Sequence, residues 1–389
     1  MFELLFLLLP IAAGYGWYMG NRSAQNQRQE QSHKMSRGYV EGLNLLLSDQ
    51  SDKAVDVFID LLQVDSETID THLALGNLFR SRGEVDRAIR IHQNLIARTN
   101  LTIDQRNLAL QQLGADYMVA GFFDRSEKIF EQLLEEPDYR EHALRQLLDI
   151  FQRTREWERA IEAAQQLVKL GKTKLRRDIG QFYCELAMQA VAMDEPTKAR
   201  NLLKKALSSD KLCVRANLIT ARLLLEEQNY KAAVPILENI ITQDVEFLSE
   251  AVPLLSQAYL GLGDEEGMMR FLRHAVEEKA GATAELKLAE FIAQEQGAEA
   301  AQLFLTRQLV KNPTMRGFYR LMDYHLEEAE EGRAKASLSS LRALVGEQLK
   351  IKPRYRCRKC GFSAQSLYWQ CPSCKRWASI KPIRGLDGE

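Results

Sequence analysis

Two small residues twelve positions apart, with apolar residues four and seven places beyond the second, recur along most of this chain. Gly42 pairs in this way with Ala54, followed by Phe58 and Leu61; Gly76 pairs with Ala88, followed by His92 and Leu95. Gly114–Ser126 is followed by Phe130 and Leu133, Ala187–Ala199 by Leu203 and Ala206, and Ala221–Ala233 by Leu237 and Ile240. Leu148–Ala160 and Ser256–Met268 keep the spacing with poorer residues. The second anchors fall at 54, 88, 126, 160, 199, 233 and 268, in steps of 34, 38, 34, 39, 34 and 35. A repeat this short cannot bury an apolar face alone, so successive units must stack.

The spacing implies a helical hairpin. Twelve residues cover the rest of one helix, a tight turn and the start of an antiparallel second helix. Small side chains at both points allow close approach, and the +4 and +7 residues share one helical face that meets the next hairpin. Gly83, Gly121 and Gly263 sit between paired anchors, where a turn is required. Only nine prolines occur, and long stretches are Ala, Leu, Glu, Gln, Arg and Lys, which lose little freedom in a helix. The predicted class is all-α. The array resembles the tetratricopeptide repeat, carried by Leu75-Gly76, Phe79, Gly83 and Ala88, and by Leu113-Gly114, Tyr117 and Phe130. That resemblance implies a superhelical solenoid of about nine repeats over 35–350, the last two degenerate, near Ala284–Leu305 and Gly317–Leu344. Such solenoids bind peptides, helices or domains.

Leu4 to Gly20 contains no charged residue. These 17 residues reach the lower limit for crossing a bilayer, and Tyr15, Trp17 and Tyr18 gather at one end as interfacial rings do. A cleaved signal would carry basic residues before the apolar run, but only Glu3 is charged there; Arg22, Arg28, Lys34 and Arg37 follow it. The expectation is an uncleaved transmembrane helix at 1–20, a polar tether at 21–34, an outward N-terminus and a cytoplasmic body.

After Pro353 the character changes. Cys357-x-x-Cys360-Gly and Cys371-Pro-x-Cys374 stand ten residues apart. Each turn presents two thiolates to one ion, and the pair completes a tetrahedral shell. Both turns are similar to the knuckles of rubredoxin and zinc-ribbon modules, which implies a rubredoxin-like metal domain over 351–389. Iron and zinc both suit four thiolates. So small a module needs its metal to hold a core. Tyr368, Trp369 and Trp377 are expected to pack it on itself or on the last repeat. Cys184 and Cys213 stand apart within helical stretches and read as buried reduced thiols.

Lys+Arg (52) and Asp+Glu (53) nearly cancel over the chain. Ten of the basic residues lie between Lys350 and Arg384, with no acid among them. They can offset the thiolate charge, and beyond that meet an acidic protein patch, anionic lipid or nucleic acid, with protein or lipid favoured. No metalloprotease His pair, phosphate-cradling Gly-rich loop or nucleophile elbow occurs, so no catalytic residue is assigned and an enzyme is not expected. His92 reads as a packed side chain, and His325 as a surface residue near the metal module.

Anchor, nine-fold array and C-terminal knuckle, in this order, resemble the lipopolysaccharide assembly protein B family of Gram-negative bacteria over the whole sequence. The resemblance implies an inner-membrane adaptor with its N-terminus in the periplasm. Its partners would be a membrane-bound ATP-dependent protease, the deacetylase that commits carbon to lipid A, and other inner-membrane lipopolysaccharide-assembly proteins. Two other readings stay open: an electron-transfer protein, which requires redox-active iron, and a nucleic-acid-binding module using the basic stretch.

Overall fold

The computed structural model describes residues 69–99 and 101–389, with isolated helical positions before them. The predicted anchor at 1–20, apart from Met19, the tether at 21–34 and nearly all of the Gly42–Ala54 repeat lie outside the described residues. Among the described residues no helix is long and apolar enough to cross a membrane. The chain forms two compact units that meet in sequence at Tyr139 and Arg140.

In the first unit, α1 (Ile69–Ser81) and α2 (Val85–Ile96) form one hairpin, and α3 (Ile103–Ala120) and α4 (Phe123–Leu133) a second. Thr102 starts α3 through a reciprocal capping box with Gln105, worth about 1 kcal/mol. The anchors do what their size demands. A methyl group at Gly76 would run into the His92 ring, and one at Gly114 would lie 2.8 Å from Phe130. The first anchor is therefore small to admit the +4 side chain of the second helix. Ser126 adds a direct tie, donating its hydroxyl to the Gly114 carbonyl at 2.8 Å. His92 is fully buried, with Nδ1 hydrogen-bonded to Asp116, and Arg80 donates to the other Asp116 oxygen at 2.8 Å. Its packed role includes a buried polar link between hairpins.

The second unit continues with α5 (Pro137–Thr154) and α6 (Trp157–Lys169), then α7 (Arg176–Ala192) and α8 (Pro196–Ser209). Next come α9 (Val214–Glu226), α10 (Tyr230–Glu238) and the single turn α11 (Ile240–Gln243). A 3-10 turn at Val245–Phe247 leads into α12 (Leu248–Leu262) and α13 (Glu265–Glu277). Two further hairpins are α14 (Ala282–Gln296) with α15 (Ala298–Lys311), and α16 (Met315–Glu328) with α17 (Arg333–Ile351). Second anchors and their +4 and +7 partners form the core: Ala160, Ala164 and Leu167; Ala199, Leu203 and Ala206; Ala233, Leu237 and Ile240; Met268, Leu272 and Ala275 are all buried.

The structure refines the two degenerate repeats. Ala289 and Ala301 are both buried and twelve residues apart, with Leu305 buried at +4, so the seventh described hairpin keeps the register the sequence left unassigned. In the eighth, Tyr324 is buried but α17 has no buried residue, since no further hairpin packs against it among the described residues. Turns also depart from the glycine signal. Gly83, Gly121 and Gly263 have positive φ, yet Arg155, Asp194 and Gln228 adopt the same left-handed conformation in three other hairpin turns. Stacking fixes those turns against local preference.

The chain ends in a three-stranded antiparallel sheet of order β2-β1-β3, formed by β1 (Tyr355–Cys357), β2 (Ser363–Ala364) and β3 (Ile380–Pro382).

Candidate metal centre and its docking surface

The two Cys-x-x-Cys segments fold as matching knuckles. In the first, the Gly361 N–H donates to the Cys357 carbonyl at 3.1 Å; in the second, Lys375 N–H donates to that of Cys371 at 2.9 Å. Gly361 (φ 80°) and Lys375 (φ 57°) both take the left-handed conformation. Each turn thereby folds its two sulfurs to one side.

All four Sγ atoms lie within 4.8 Å of one another. Cys357 to Cys374 is 3.8 Å and Cys360 to Cys371 is 3.6 Å. Four sulfurs about 2.3 Å from one ion at tetrahedral angles would stand about 3.8 Å apart, so the residues fit a tetrathiolate metal. Burial works against the Cys357 thiolate. The Ser379 hydroxyl, with the Cys360 and Lys359 N–H groups, outweighs it and brings that thiol down to about 6. Cys357 and Cys371 are buried, and Cys360 is exposed at the outer edge. The four cysteines form a zinc-ribbon-type metal site.

The aromatic side chains place this module where the sequence reading did not. Tyr368 packs within the module, edge-on to Phe362. Trp369 and Trp377 instead reach repeats far upstream of the last one. Trp369 stacks on Phe247 with centroids 5.4 Å apart. Trp377 meets Trp157 at 5.9 Å and Phe182 at 5.7 Å, both edge-on, and donates Nε1–H to Gln152 Oε1 at 2.8 Å. The Arg215 guanidinium lies 5.7 Å from the Trp369 ring and 6.0 Å from that of Trp377, held by Glu185 at 2.8 Å. The module meets the last hairpin through Met315 and Arg316, but the two indoles dock further upstream, on α5–α7, α9 and the turn before α12. Trp157, Phe182 and Phe247 on those middle elements give the indoles aromatic partners at 5.4–5.9 Å.

The basic stretch is spent largely within the molecule. Lys381 pairs with Asp244 and Glu246 at 2.7 Å each, and Arg358 with Glu246 at 2.8 Å. Burial of Glu246 opposes its charge, but Lys381 and Arg358 hold its carboxyl below the ordinary range. Arg384 donates to the carbonyls of Lys279 and Ala280 at 3.0 and 3.2 Å. Tyr355 donates its hydroxyl to Glu250, and the Glu389 carboxylate receives Thr283 N–H, Thr283 Oγ1 and Arg316. Arg215, Glu250, Thr283 and Arg316 lie in the first turns of α9, α12, α14 and α16, the first helices of successive hairpins, so the repeat itself aligns them. Sequence reading missed this whole row. The only signal was a polar residue recurring near one repeat length, which solvated surfaces also show. His325 is exposed in the last turn of α16.

Fold and site together define a tetratricopeptide-repeat protein with a tetrathiolate module docked on its own repeats. Comparison with protein families agrees: a rubredoxin metal binding domain matches residues 355–382, and tetratricopeptide repeats match residues 71–103 and 184–244. Lipopolysaccharide assembly protein B of Escherichia coli (strain K12) is 56% identical over 388 residues, covering 100% of both chains. That of Haemophilus influenzae is 46% identical over 396 residues, again covering 100% of both. Among solved structures, a tetratricopeptide repeat protein from Parabacteroides merdae is 15% identical over 72% of this chain and 100% of its own, with a TM-score of 0.33. The chain belongs to the lipopolysaccharide assembly protein B family.

Proposed function

We propose that this protein is a non-catalytic adaptor in lipopolysaccharide assembly, set in the bacterial inner membrane by residues 1–20 with its N-terminus periplasmic and its bulk cytoplasmic. It regulates synthesis by presenting the lipid A-committing deacetylase to a membrane-bound ATP-dependent protease. The observation that carries this reading is the end-to-end likeness, at 56% identity, to proteins named for lipopolysaccharide assembly. Stacked helical hairpins support it, because such arrays bind other proteins along extended surfaces. The apolar run Leu4–Gly20 supports the membrane setting, with basic residues only after it.

The metal, iron or zinc, would be held by Cys357, Cys360, Cys371 and Cys374, and would supply folding energy to a module too small to fold otherwise. The module's own residues then complete the surface of the second unit through Trp369, Trp377 and Lys381. The anchor raises effective concentration beside a membrane-bound partner without adding a contact.

The test is the half-life of the deacetylase in cells lacking the native copy. Deleting residues 1–20 should leave a folded, metal-loaded protein that regulates poorly and is partly rescued by overproduction. Replacing Cys357 and Cys360 should impair regulation without such rescue. A half-life indifferent to complete loss of the protein would refute the adaptor reading; periplasmic activity of a reporter fused after Glu389 would refute the orientation.

A further inference from the structure

Cys184 and Cys213, separate in sequence, are side by side in the fold. Cys184 lies within α7 and Cys213 caps the start of α9, with their sulfurs 3.8 Å apart. Both thiols are buried, at 0% and 1% exposure. The pair sits in an apolar core with Ala187, Ala206, Ala216 and Ile219, but a polar side chain reaches into it. Gln181 is buried at 3% exposure and donates Nε2–H to Cys213 Sγ at 3.4 Å, while its Oε1 has no partner. A buried amide left half-satisfied costs stability, and what it does here is offer a proton donor to a sulfur.

We propose that Cys184 and Cys213 form a reversible oxidation site, a dithiol that closes to a disulfide under peroxide and loosens the docked metal module. The pair is polarised. The hydrogen bond from Cys184, with the Ala216 N–H, holds the Cys213 thiol below its ordinary range against burial; the same bond and burial push Cys184 up. Gln181 Nε2–H, donated to Cys213 Sγ, favours a thiolate there, so Cys213 is the attacking thiol and Cys184 the resolving one. The Cys213 thiolate attacks one peroxide oxygen: the S–O bond forms, the O–O bond breaks, and the departing hydroxide leaves as water after protonation. Cys184 sulfur then attacks the sulfenic acid. The S–S bond forms, the S–O bond breaks, and a second water carries off the Cys184 proton. Two thiols lose two electrons, and one peroxide becomes two waters. Cys213 directly follows the Asp210–Leu212 turn, whose Leu212 is 53% exposed, so although the sulfur is buried it sits one residue from solvent along the chain.

Coupling to the module is a matter of position. A disulfide requires the sulfurs at about 2.05 Å, closer than the present 3.8 Å, so forming it repacks both side chains and pulls on α7 and the start of α9. Phe182, two residues before Cys184, packs on Trp377, and Arg215, two residues after Cys213, spans Trp369 and Trp377. Glu185, next to Cys184, holds Arg215. The side chains that hold the indoles thus lie within two residues of the pair, so strain from forming the S–S bond is passed to that contact and weakens it.

The test uses the full chain loaded with zinc, which removes iron–peroxide side reactions. After hydrogen peroxide treatment, alkylation under denaturing conditions and peptide mapping should show a Cys184–Cys213 linkage, with loss of both as free thiols and recovery by a dithiol reductant. Zinc transfer to a chromophoric chelator should be faster in the oxidised chain. In the Cys184→Ala/Cys213→Ala variant, which keeps all four ligands, peroxide should add only the release caused by direct oxidation of those ligands. Absence of the linkage in the unmutated chain, with both cysteines still alkylatable after unfolding, would overturn the site. A linkage that leaves zinc release identical to that of the variant would overturn the coupling.

Discussion

Truncating Trp377 to alanine tests whether docking of the metal module is as tight as its contacts imply. The side chain makes two edge-on ring contacts, to Trp157 and Phe182, and one hydrogen bond to Gln152. Each ring pair is worth about 0.5–1.5 kcal/mol beyond its area, and the hydrogen bond about 1 kcal/mol. Trp377 is half-buried, so its lost apolar area adds less than full burial would. The total is about 3 kcal/mol, at the low end for removing a large aromatic. That energy is linked to metal retention, because a docked module is a folded one. Apparent metal affinity, measured by chelator competition, should fall by about 100-fold if docking and folding are fully coupled. Limited proteolysis should cut residues 351–389 faster, while helicity stays near that of the parent. Trp377→Phe should lose the hydrogen bond and part of the ring area, about 1–2 kcal/mol, and so fall between the parent and Trp377→Ala. If Trp377→Ala leaves both metal retention and cleavage unchanged, the module is not held by these rings and the docking argument fails.

Replacing Cys357 and Cys360 with serine should remove the metal, by elemental analysis, and unfold residues 351–389, while circular dichroism retains most of the helical signal. Gly76→Ala should destabilise the first unit by about 2–3 kcal/mol in denaturant melts, because its methyl group runs into the buried His92 ring; a neutral result would show that the ring has room to move. Burial raises the Asp178 carboxyl from 3.8 to about 6, against the pull of Arg376 and Arg177. An acid raised on folding costs stability once it ionises, so the cost is absent below 3.8 and complete above about 6. Asp178→Asn should therefore raise the melting temperature at neutral pH and gain nothing in acid; equal gains at both would exclude ionisation as the cause.

Much of this protein is written locally. The twelve-residue spacing of Gly76–Ala88, Gly114–Ser126, Ala199 and Ala233 with their +4 and +7 partners is a property of one hairpin and its neighbour, so the sequence by itself determines the repeat, its period and its core. The two Cys-x-x-Cys knuckles are equally local, since each turn orients its own thiolates. Ala289–Ala301 carried the same legible spacing and only needed to be counted. What lay beyond reach was everything set by stacking. Arg155, Asp194 and Gln228 take left-handed turns with no glycine to announce them, because the packed helices on either side leave no other path. Trp377 is 225 residues from Gln152, and no local rule connects them. Arg215, Glu250, Thr283 and Arg316 become one row only when the repeats are in register. Cys184 and Cys213 read as solitary thiols until α7 and α9 bring their sulfurs together. Periodicity fixes what each repeat buries; which of its exposed residues will share a surface depends on how the repeats stack, and that is a tertiary quantity.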